Sequence, residues 1–386
     1  MTLDIPEVRI DWQAKGFWQP DGEVTAAEFA AARHTLFDGS FTWPLLVVRL
    51  PSVQANIATM AAFCARHGFS FAPHAKTTMA PALLQAQLDA GAWAMTVATA
   101  SQALVLRRLG VPRVLIANEV LDPVALAWLA SQTDWEVYLQ TDSVTGAERA
   151  AGLPLLVELG HPAGRTGCRT IEEVVTVARA AGDRLVGITG YEGGLTDEAA
   201  VDAWLATLTE AAKTLSAEGL LPEEVIVSAG GSAWFDRVAK ALEGDWLPGH
   251  RLRIVVRSGA SVTHDDGFYR ERTPFNRIPQ EGALAPALEL WGQVLSTPEP
   301  GLAIVGFGKR DAPFDEGLPV PDRDGLTVTK MNDHHTYLSV ADGVPLAVGE
   351  LVRFGISHPC TAFDKWRLIP VVDDAGLVVD VLHTYF

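Results

Sequence analysis

A lysine that follows a short apolar run is the first candidate for chemistry in this chain. The run Phe71-Ala-Pro-His-Ala-Lys-Thr77 ends in a histidine and Lys76, so we expect Lys76 at the carboxyl end of a strand. One interpretation is a lysine that pairs with a carboxylate. The other is a partly desolvated amine that forms a Schiff base with the aldehyde of a cofactor.

Two turns rich in small residues are candidates for binding a phosphate. Gly230, Gly231 and Ser232 follow one apolar run and precede a helical segment, so their backbone N–H groups and the hydroxyl are predicted to face an anion. Gly259 and Ala260 follow the next apolar run and are predicted to complete the cradle. The alternative is that the Gly-Gly-Ser sequence is only a tight turn between a strand and a helix.

Two further side chains suit a planar anionic ligand. Arg165 lies in Gly164-Arg-Thr-Gly167 after one apolar run, where a guanidinium can pair with a phenolate oxygen. Tyr191 follows the next run, where it can contact a ring or a phosphate. A surface ion pair for Arg165 and a core position for Tyr191 are the alternatives.

The sequence His358-Pro-Cys360 predicts a metal site near the carboxyl end of the chain. In an extended chain, side chains two residues apart project to the same side, so both can reach one ion. Imidazole and thiolate ligands suit zinc better than magnesium or manganese, and two protein ligands leave positions open for water and substrate. His334, His335 and His383 are further candidates, although such histidines commonly bond to turn carbonyls.

Eight apolar runs of strand length are expected to position these residues. They are residues 70–75, 94–99, 113–118, 135–140, 154–159, 185–190, 224–229 and 252–257. Helical segments alternate with the runs, which predicts an α/β fold with a (β/α)8 TIM-type barrel whose chemistry lies at the carboxyl ends of its strands. An open doubly wound sheet is the alternative, but no Gly-x-Gly-x-x-Gly follows the first run.

The pattern divides the chain into three parts. Residues 1–51 read as an amino-terminal extension, rich in aromatic residues, whose strand at 44–50 packs on the last part. Residues 52–285 form the predicted barrel. In residues 286–386 short runs bounded by turns replace the helical alternation, which predicts a C-terminal antiparallel β-domain that carries the metal site.

The composition is that of an ordinary soluble globular protein whose expected partners are small substrates or other proteins. Hydrophobic residues make up 48% of the 386 residues, which is enough to bury a large core. The net charge of -17 argues against nucleic acid and anionic membranes as partners. With no bilayer-length apolar run and no signal-peptide pattern, a cytoplasmic location is expected. The three scattered cysteines do not form a disulfide framework.

Taken together, these motifs resemble the fold-type III pyridoxal-phosphate enzymes, in the branch that contains D-serine dehydratase and D-threonine aldolase. The matching pieces, in the order of the family, are Pro73-His-Ala-Lys-Thr77, Gly91-Ala-Trp93, Ile116-Ala-Asn-Glu119, Gly164-Arg-Thr-Gly167, Gly190-Tyr-Glu-Gly193, Gly230-Gly-Ser232 and His358-x-Cys360. The carboxyl-terminal end looks most like bacterial amino-acid deaminases of that branch. The chain departs from the family at Thr78-Met79, where His-Lys is usual, and at Ser261, where Tyr is usual.

The resemblance implies an alanine-racemase-like barrel with a C-terminal β-domain, and it assigns roles to the candidate residues. Lys76 is implied as the Schiff-base lysine of pyridoxal 5'-phosphate, and the glycine turns as its phosphate site. Arg165 is implied as the partner of the cofactor's phenolic oxygen, and His358 with Cys360 as ligands of Zn2+. A homodimer and a small D-amino acid substrate are also implied.

The resulting hypothesis is a pyridoxal-phosphate- and zinc-dependent dehydratase that converts D-3-hydroxy amino acids such as D-serine or D-threonine to a 2-oxo acid and ammonia. The family's aldolases usually carry Asp at the position of Cys360, which favours dehydration. A D-threonine aldolase that uses the same residues remains an alternative. So does a non-catalytic protein that binds pyridoxal phosphate, although the extra β-domain counts against it. A racemase is the last alternative, and it would leave the metal without a role.

Overall fold

Two large sheets organise the chain in the computed structural model, which describes residues 2–386. The first described segment contains β1 (Arg9–Ile10), β2 (Val24–Thr25), α1 (Ala26–Ala31), β3 (Leu45–Arg49) and α2 (Leu50–Arg66). Strands β1 and β2 pair with each other in an antiparallel ladder. No helix in the described range is both long enough and apolar enough to cross a bilayer.

Strands and helices alternate through the middle of the chain. In order, they are β4 (Ser70–Phe71), α3 (Pro81–Asp89), β5 (Met95–Val97), α4 (Ala100–Arg108), β6 (Arg113–Glu119), α5 (Pro123–Ser131), β7 (Glu136–Thr141), α6 (Val144–Arg149), β8 (Leu155–Leu159), α7 (Ile171–Ala181), β9 (Leu185–Gly190), α8 (Glu198–Ala217), β10 (Glu224–Ser228), α9 (Phe235–Leu242), β11 (Arg251–Val256) and α10 (Phe268–Arg272). Each of the eight predicted runs overlaps one of these strands, so the predicted alternation is confirmed.

The eight strands β4 to β11 form one parallel sheet within residues 2–386, in the order β4-β11-β10-β9-β8-β7-β6-β5. The segment that follows β4 meets the other end strand, β5, at a parallel bridge between His74 and Thr96. Strand β4 is shorter than the predicted run 70–75, and Pro73 within that run has no N–H to donate to a ladder. The carboxyl ends of the eight strands therefore lie on one edge.

Alternate residues of each strand face opposite ways, which explains why the runs are almost wholly apolar. Leu156, Ile226 and Val255 pack together on one side of the sheet, whereas Leu155 and Val157 join the core beneath the helices. Full burial of each such side chain contributes about 1.5–3 kcal/mol to stability. The resulting rigid sheet holds the residues at its carboxyl edge.

Polar side chains fix the starts of many of the helices that follow these strands. Each accepts the N–H three residues further on, which satisfies a backbone donor that the helix leaves free. These capping residues are Thr99, Asp122, Ser143, Thr170 and Asp197. Because the helices begin at defined residues, the loops between strand ends and helix starts have fixed lengths and can carry functional groups.

The last part of the chain forms most of a second sheet. Its strands are β12 (Leu288–Glu299), β13 (Leu302–Val305), β14 (Val320–Pro321), β15 (Leu326–Met331), β16 (Thr336–Val340), β17 (Leu351–Gly355), β18 (Leu368–Val372) and β19 (Val378–His383). They pair antiparallel with one another, and β3 lies between β12 and β18, antiparallel to β12 and parallel to β18. The strand predicted at residues 44–50 therefore belongs to this sheet, while the division into three parts stays a prediction.

Candidate active site

Lys76 lies on a single 3-10 turn, Ala75–Thr77, directly after β4. The turn is closed by the N–H of Thr78, which donates to the carbonyl of Ala75 at 3.1 Å. Burial lowers the pKa of Lys76, and the guanidinium of Arg165 lowers it further, whereas Cys360 acts in the opposite direction. No carboxylate is among the charged neighbours that affect this amine, so the arrangement does not resemble a surface ion pair.

The amine lines a cavity at the carboxyl edge of the parallel sheet. Most of the residues that the sequence singled out line this cavity. They are Lys76, Arg165, Tyr191, Gly231, Ser232, Gly259, Ala260 and Cys360. Gly230 lies just behind the lining and His358 lies beside Cys360. One cavity thus brings the amine, the small-residue turns and the predicted metal site together.

Arg165 and Tyr191 form one wall of the cavity. The guanidinium carbon of Arg165 lies 4.4 Å from the centre of the Tyr191 ring, which is a cation–π distance. Burial raises the pKa of Tyr191, so its phenol stays neutral at physiological pH. Within residues 2–386 no carboxylate forms an ion pair with Arg165, which leaves this cation available to an anionic ligand.

The glycine turn after β10 is shaped by a carboxylate that the sequence analysis did not single out. Glu192 is fully buried and accepts the N–H of Gly230 at 3.1 Å and that of Gly231 at 2.6 Å. The two amides expected to face a phosphate therefore donate to the protein. The hydroxyl of Ser232 lies on the cavity wall, 3.0 Å from Ser258 Oγ, and it is the donor that this turn offers to a ligand.

Gly259 allows the turn after β11 to pack against the segment that carries Lys76. A Cβ at this position would lie 2.7 Å from both the Cβ and the carbonyl oxygen of His74. The His74 Nδ1 is buried without a hydrogen-bond partner. Burial lowers the pKa of His74 well below its usual value, with Lys76 acting in the same direction, so the imidazole stays neutral.

Arg257 is a buried cation that the sequence analysis missed. It follows β11 and donates to the hydroxyls of Thr189 and Ser228 and, at 2.7 Å, to the carbonyl of Gly190. Burial lowers its pKa, although Glu192 opposes this effect. The sequence did contain a signal for Arg257, namely a charged residue at the end of an otherwise apolar run. Such a residue at a strand end faces the cavity.

Glu158 and Glu119 are buried carboxyl groups at the same edge. Glu158, on β8, lines the cavity, and its Oε2 has no hydrogen-bond partner. Burial raises the pKa of Glu158 and raises that of Glu119 to about 8, with help from the nearby Asp142. Isolated acidic residues in apolar strands were the signal for both, although the sequence analysis quoted Glu119 only as part of a motif.

The predicted metal pair lies on the cavity side of the second sheet. Cys360 sits in the 3-10 turn Pro359–Thr361, and its Sγ lies 3.8 Å from Thr77 Oγ1. The His358 Nδ1 lies 2.8 Å from an oxygen of Asp315. Burial opposes a charge on His358, but Cys360 and Asp315 outweigh it and raise the pKa of His358 to about 9.

The other candidate histidines lie elsewhere. His334 lies near Asp311, and the His383 ring packs against Tyr385. Across the described residues no cluster of three or more His, Cys, Asp or Glu side chains is arranged to hold a metal ion. A metal at His358 and Cys360 would therefore have two protein ligands, which still leaves positions for water and substrate.

Tyr269 also faces the cavity, and the sequence analysis did not name it. It lies on α10, and its ring centre is 5.7 Å from that of His358. Burial and then Cys360 raise its pKa, so the phenol is a neutral hydrogen-bond donor. No local motif marks this residue, because only the docking of the second sheet places it beside Cys360.

The fold and the cavity together define a pyridoxal-phosphate-binding α/β protein of the alanine racemase type with an added β-sheet. Residues 48–249, which are 202 of the 386 residues, match the family described as alanine racemase, N-terminal domain. Residues 287–372 match the family described as putative serine dehydratase domain. The chain belongs to the fold-type III pyridoxal-phosphate family that contains D-serine dehydratase and D-threonine aldolase.

Individual relatives agree with this family. A 3-hydroxy-D-aspartate aldolase of Paracoccus denitrificans (strain Pd 1222) is 28% identical over 82% of this chain and 84% of its own length. The crystal structure of D-threonine aldolase from Filomicrobium marinum matches with a TM-score of 0.78, at 24% identity over 89% of this chain and 95% of that one. D-threo-3-hydroxyaspartate dehydratase from Delftia sp. HT23 matches with a TM-score of 0.71, at 23% identity over 89% of this chain and 97% of that one.

Proposed function

We propose that this protein is a pyridoxal-phosphate- and zinc-dependent dehydratase that converts D-3-hydroxy amino acids such as D-serine or D-threonine to a 2-oxo acid and ammonia. One observation carries the proposal. A desolvated amine, Lys76, shares a cavity with an unpaired guanidinium, Arg165, and with the thiol of Cys360. An amine and a cation suit an anionic aldehyde, and a thiol beside an imidazole suits zinc.

Lys76 is proposed to hold and move the proton of the substrate's α-carbon. Bound pyridoxal phosphate supplies an electron sink that makes this proton acidic. Because burial lowers the pKa of Lys76, a larger fraction of its amine is neutral near pH 7 and can accept a proton at Nζ. The neighbouring guanidiniums of Arg165 and Arg257 act in the same direction.

The other cavity residues are proposed to bind and orient the cofactor. Arg165, which forms no ion pair with any described residue, is suited to the phenolic oxygen, while Tyr191 supports the guanidinium through its ring. The Ser232 hydroxyl, which lines the cavity beside Gly259 and Ala260, is suited to the phosphate and also accepts the N–H of Ala260 at 3.3 Å. We further propose that the bridge between β4 and β5 closes the sheet into a barrel, which would hold these groups at fixed separations.

His358 and Cys360 are proposed to hold the zinc ion, whose role is to draw electrons from the substrate's β-hydroxyl oxygen. The donor set supports this assignment, since Cys360 lines the cavity, the His358 side chain hydrogen-bonds to Cys360, and Asp315 contacts the imidazole. A solved structure of a D-threo-3-hydroxyaspartate dehydratase mutant, similar in fold, is described as the metal-free form. The neutral phenol of Tyr269 can donate a hydrogen bond to a substrate group at the same edge.

A D-threonine aldolase is the second candidate. The relatives found by sequence favour it, because they are named 3-hydroxy-D-aspartate aldolase and, at 26% identity, D-threonine aldolase of Arthrobacter sp. Cleavage of the Cα–Cβ bond needs a base for the β-hydroxyl proton, whereas dehydration needs an acid for the leaving hydroxyl. Thr78, where relatives of this family usually carry histidine, is buried and offers no such base.

Product analysis with D-threonine tests the proposal. The protein loaded with pyridoxal phosphate and zinc is expected to give 2-oxobutyrate and ammonia, and this turnover should be lost in Lys76→Ala and with a strong chelator. Cys360→Ala should lose this turnover as well. Cys64→Ala, which changes a cysteine of α2, is its matched control. Glycine and acetaldehyde as products would establish the aldolase instead. Cofactor absorbance without turnover of any D-amino acid would establish a binding protein.

The assembly and location of the protein are further parts of the proposal. A homodimer is proposed from the family resemblance, and light scattering coupled to size-exclusion chromatography tests it. A cytoplasmic location is also proposed, and fractionation of cells that express the protein tests it. A monomer at micromolar concentration that still turns over D-threonine would contradict a functional requirement for the dimer.

A further inference from the structure

The loop between β13 and β14 docks against the turn that carries the proposed zinc ligands. The Ser357 hydroxyl donates to the carbonyl of Glu316 at 2.9 Å. A Cβ at Gly317 would lie 2.5 Å from Ser357 Oγ, so the close approach requires glycine at this position. The same loop therefore holds Asp315 in a defined place beside His358.

Both carboxylate oxygens of Asp315 are engaged. One oxygen lies 2.8 Å from His358 Nδ1, and the other accepts the Thr361 hydroxyl at 3.3 Å. The Asp315 side chain is 44% exposed, yet it bridges two residues that flank Cys360. An exposed aspartate with two such contacts has a fixed orientation rather than a freely rotating side chain.

We propose that Asp315 is the positioning residue that orients the His358 imidazole for zinc, which rests on the proposed function. An imidazole has two nitrogens, and the partner of one decides which nitrogen is left for a metal. Because Nδ1 of His358 faces Asp315, its hydrogen is directed to the carboxylate and Nε2 is the nitrogen left as a ligand. Asp315 then selects the tautomer, and its charge makes the imidazole a stronger donor.

Cys360 also hydrogen-bonds to the His358 side chain, but the group that lies at Nδ1 is Asp315. The rings of Phe268 and Tyr269 pack at 5.5 and 5.7 Å from the imidazole and offer it no acceptor at Nδ1. Asp265, the nearest buried carboxylate on the adjoining loop, accepts the N–H groups of Gly267 and of residues on α10. The aromatic rings limit the motion of His358, and Asp315 determines which imidazole nitrogen is left to bind zinc.

Zinc affinity of the cofactor-loaded protein tests the assignment, measured by competition with a chromophoric chelator. Loss of such a carboxylate partner typically weakens a metal site about 10- to 100-fold, which is the change expected for Asp315→Ala. Asp315→Asn keeps an acceptor oxygen but loses the charge, so its loss should be smaller. Thr361→Val, which frees one oxygen of Asp315, should lower the zinc affinity by even less than Asp315→Asn does.

Asp364→Ala is the matched control. Asp364 lies four positions after Cys360, and its side chain is 42% exposed, close to the value for Asp315. The zinc affinity of the Asp364→Ala variant should equal that of the unaltered protein. The melting temperature of each metal-free variant should also be unchanged, because a merely structural role for Asp315 would lower that temperature without a selective effect on zinc.

The outcomes separate this inference from the proposal on which it rests. If Cys360→Ala loses zinc while Asp315→Ala and Asp315→Asn bind it as tightly as the unaltered protein, the role of Asp315 is refuted and the zinc site stands. If Cys360→Ala binds zinc normally, the zinc site itself is refuted together with the role of Asp315. A drop in zinc affinity for both Asp315 variants, graded as expected, supports the assignment.

Discussion

Replacement of Glu119 by glutamine is expected to stabilise the protein increasingly as the pH rises. Burial, Asp142 and Glu158 together raise the pKa of Glu119 to about 8 from a usual value of 4.5. Each pH unit between these values is worth about 1.4 kcal/mol, so the charged form costs the folded protein up to about 5 kcal/mol above pH 8.

The sign follows from proton binding. Between pH 4.5 and about 8 the folded protein keeps the Glu119 proton that the unfolded chain releases, so stability falls as the pH rises through this range. Glutamine does not titrate, so the stability of the variant does not fall with pH for this reason. From pH 6 to pH 8.5 the variant should gain roughly 2–3 kcal/mol relative to the unaltered protein.

Urea unfolding at pH 6.0, 7.0, 8.0 and 8.5 measures this difference. The comparison of the two proteins across pH removes any constant cost of placing an amide in the buried site. Glu210→Gln, at an exposed position of α8, is the control and should show no trend. Parallel stability curves for Glu119→Gln and the unaltered protein would refute the raised pKa of Glu119 on which the reasoning depends.

The remaining predictions concern the cavity. Arg165→Ala should weaken pyridoxal phosphate binding roughly 10- to 100-fold in an absorbance titration, because a hydrogen bond to a charged group contributes about 1.5–3 kcal/mol; an unchanged affinity would remove Arg165 from the cofactor site. Gly259→Ala should destabilise the protein by about 1–3 kcal/mol in urea unfolding, since its Cβ would meet backbone. Gly194→Ala meets only the end of a histidine side chain and should be nearly neutral. Iodoacetamide should label Cys360 first, because burial raises the pKa of both other thiols to about 12, and mass spectrometry with and without zinc should show protection.

Much of the fold follows from short-range pattern. A run such as 185–190 is apolar on both faces and is followed by a helix, and the strand β9 has the same bounds as that run. The first strand is an exception because Pro73 interrupts its ladder and leaves Lys76 on a turn. Local pattern therefore predicted that a lysine stands at the edge of the sheet, but not the backbone conformation that presents it.

The candidate site was predictable where residues share one local motif. Glu192 and Asp315 show which parts of the site local motifs do not predict. Glu192 occupies the amides of a turn 38 residues away, and Asp315 reaches a histidine 43 residues away. Neither contact has a periodic or compositional signature, because each depends on how two loops meet once the strands beside them have paired. The sequence analysis therefore assigned the amides of Gly230 and Gly231 to a ligand, whereas the structure gives them an internal acceptor.

The position of β3 has a consequence for how the chain is made and how it can be cut. In this strand Leu46 pairs with Leu290 and Val48 pairs with Val371. The first strand of the second sheet is therefore synthesised more than 200 residues before the strands with which it pairs. Contacts of such long range slow folding. A fragment that begins after β3 would leave β12 and β18 each with an unpaired edge, and open edges of this kind promote aggregation. The carboxyl-terminal third is thus expected to need the amino-terminal segment, supplied in the same chain or as an added peptide, in order to remain monomeric.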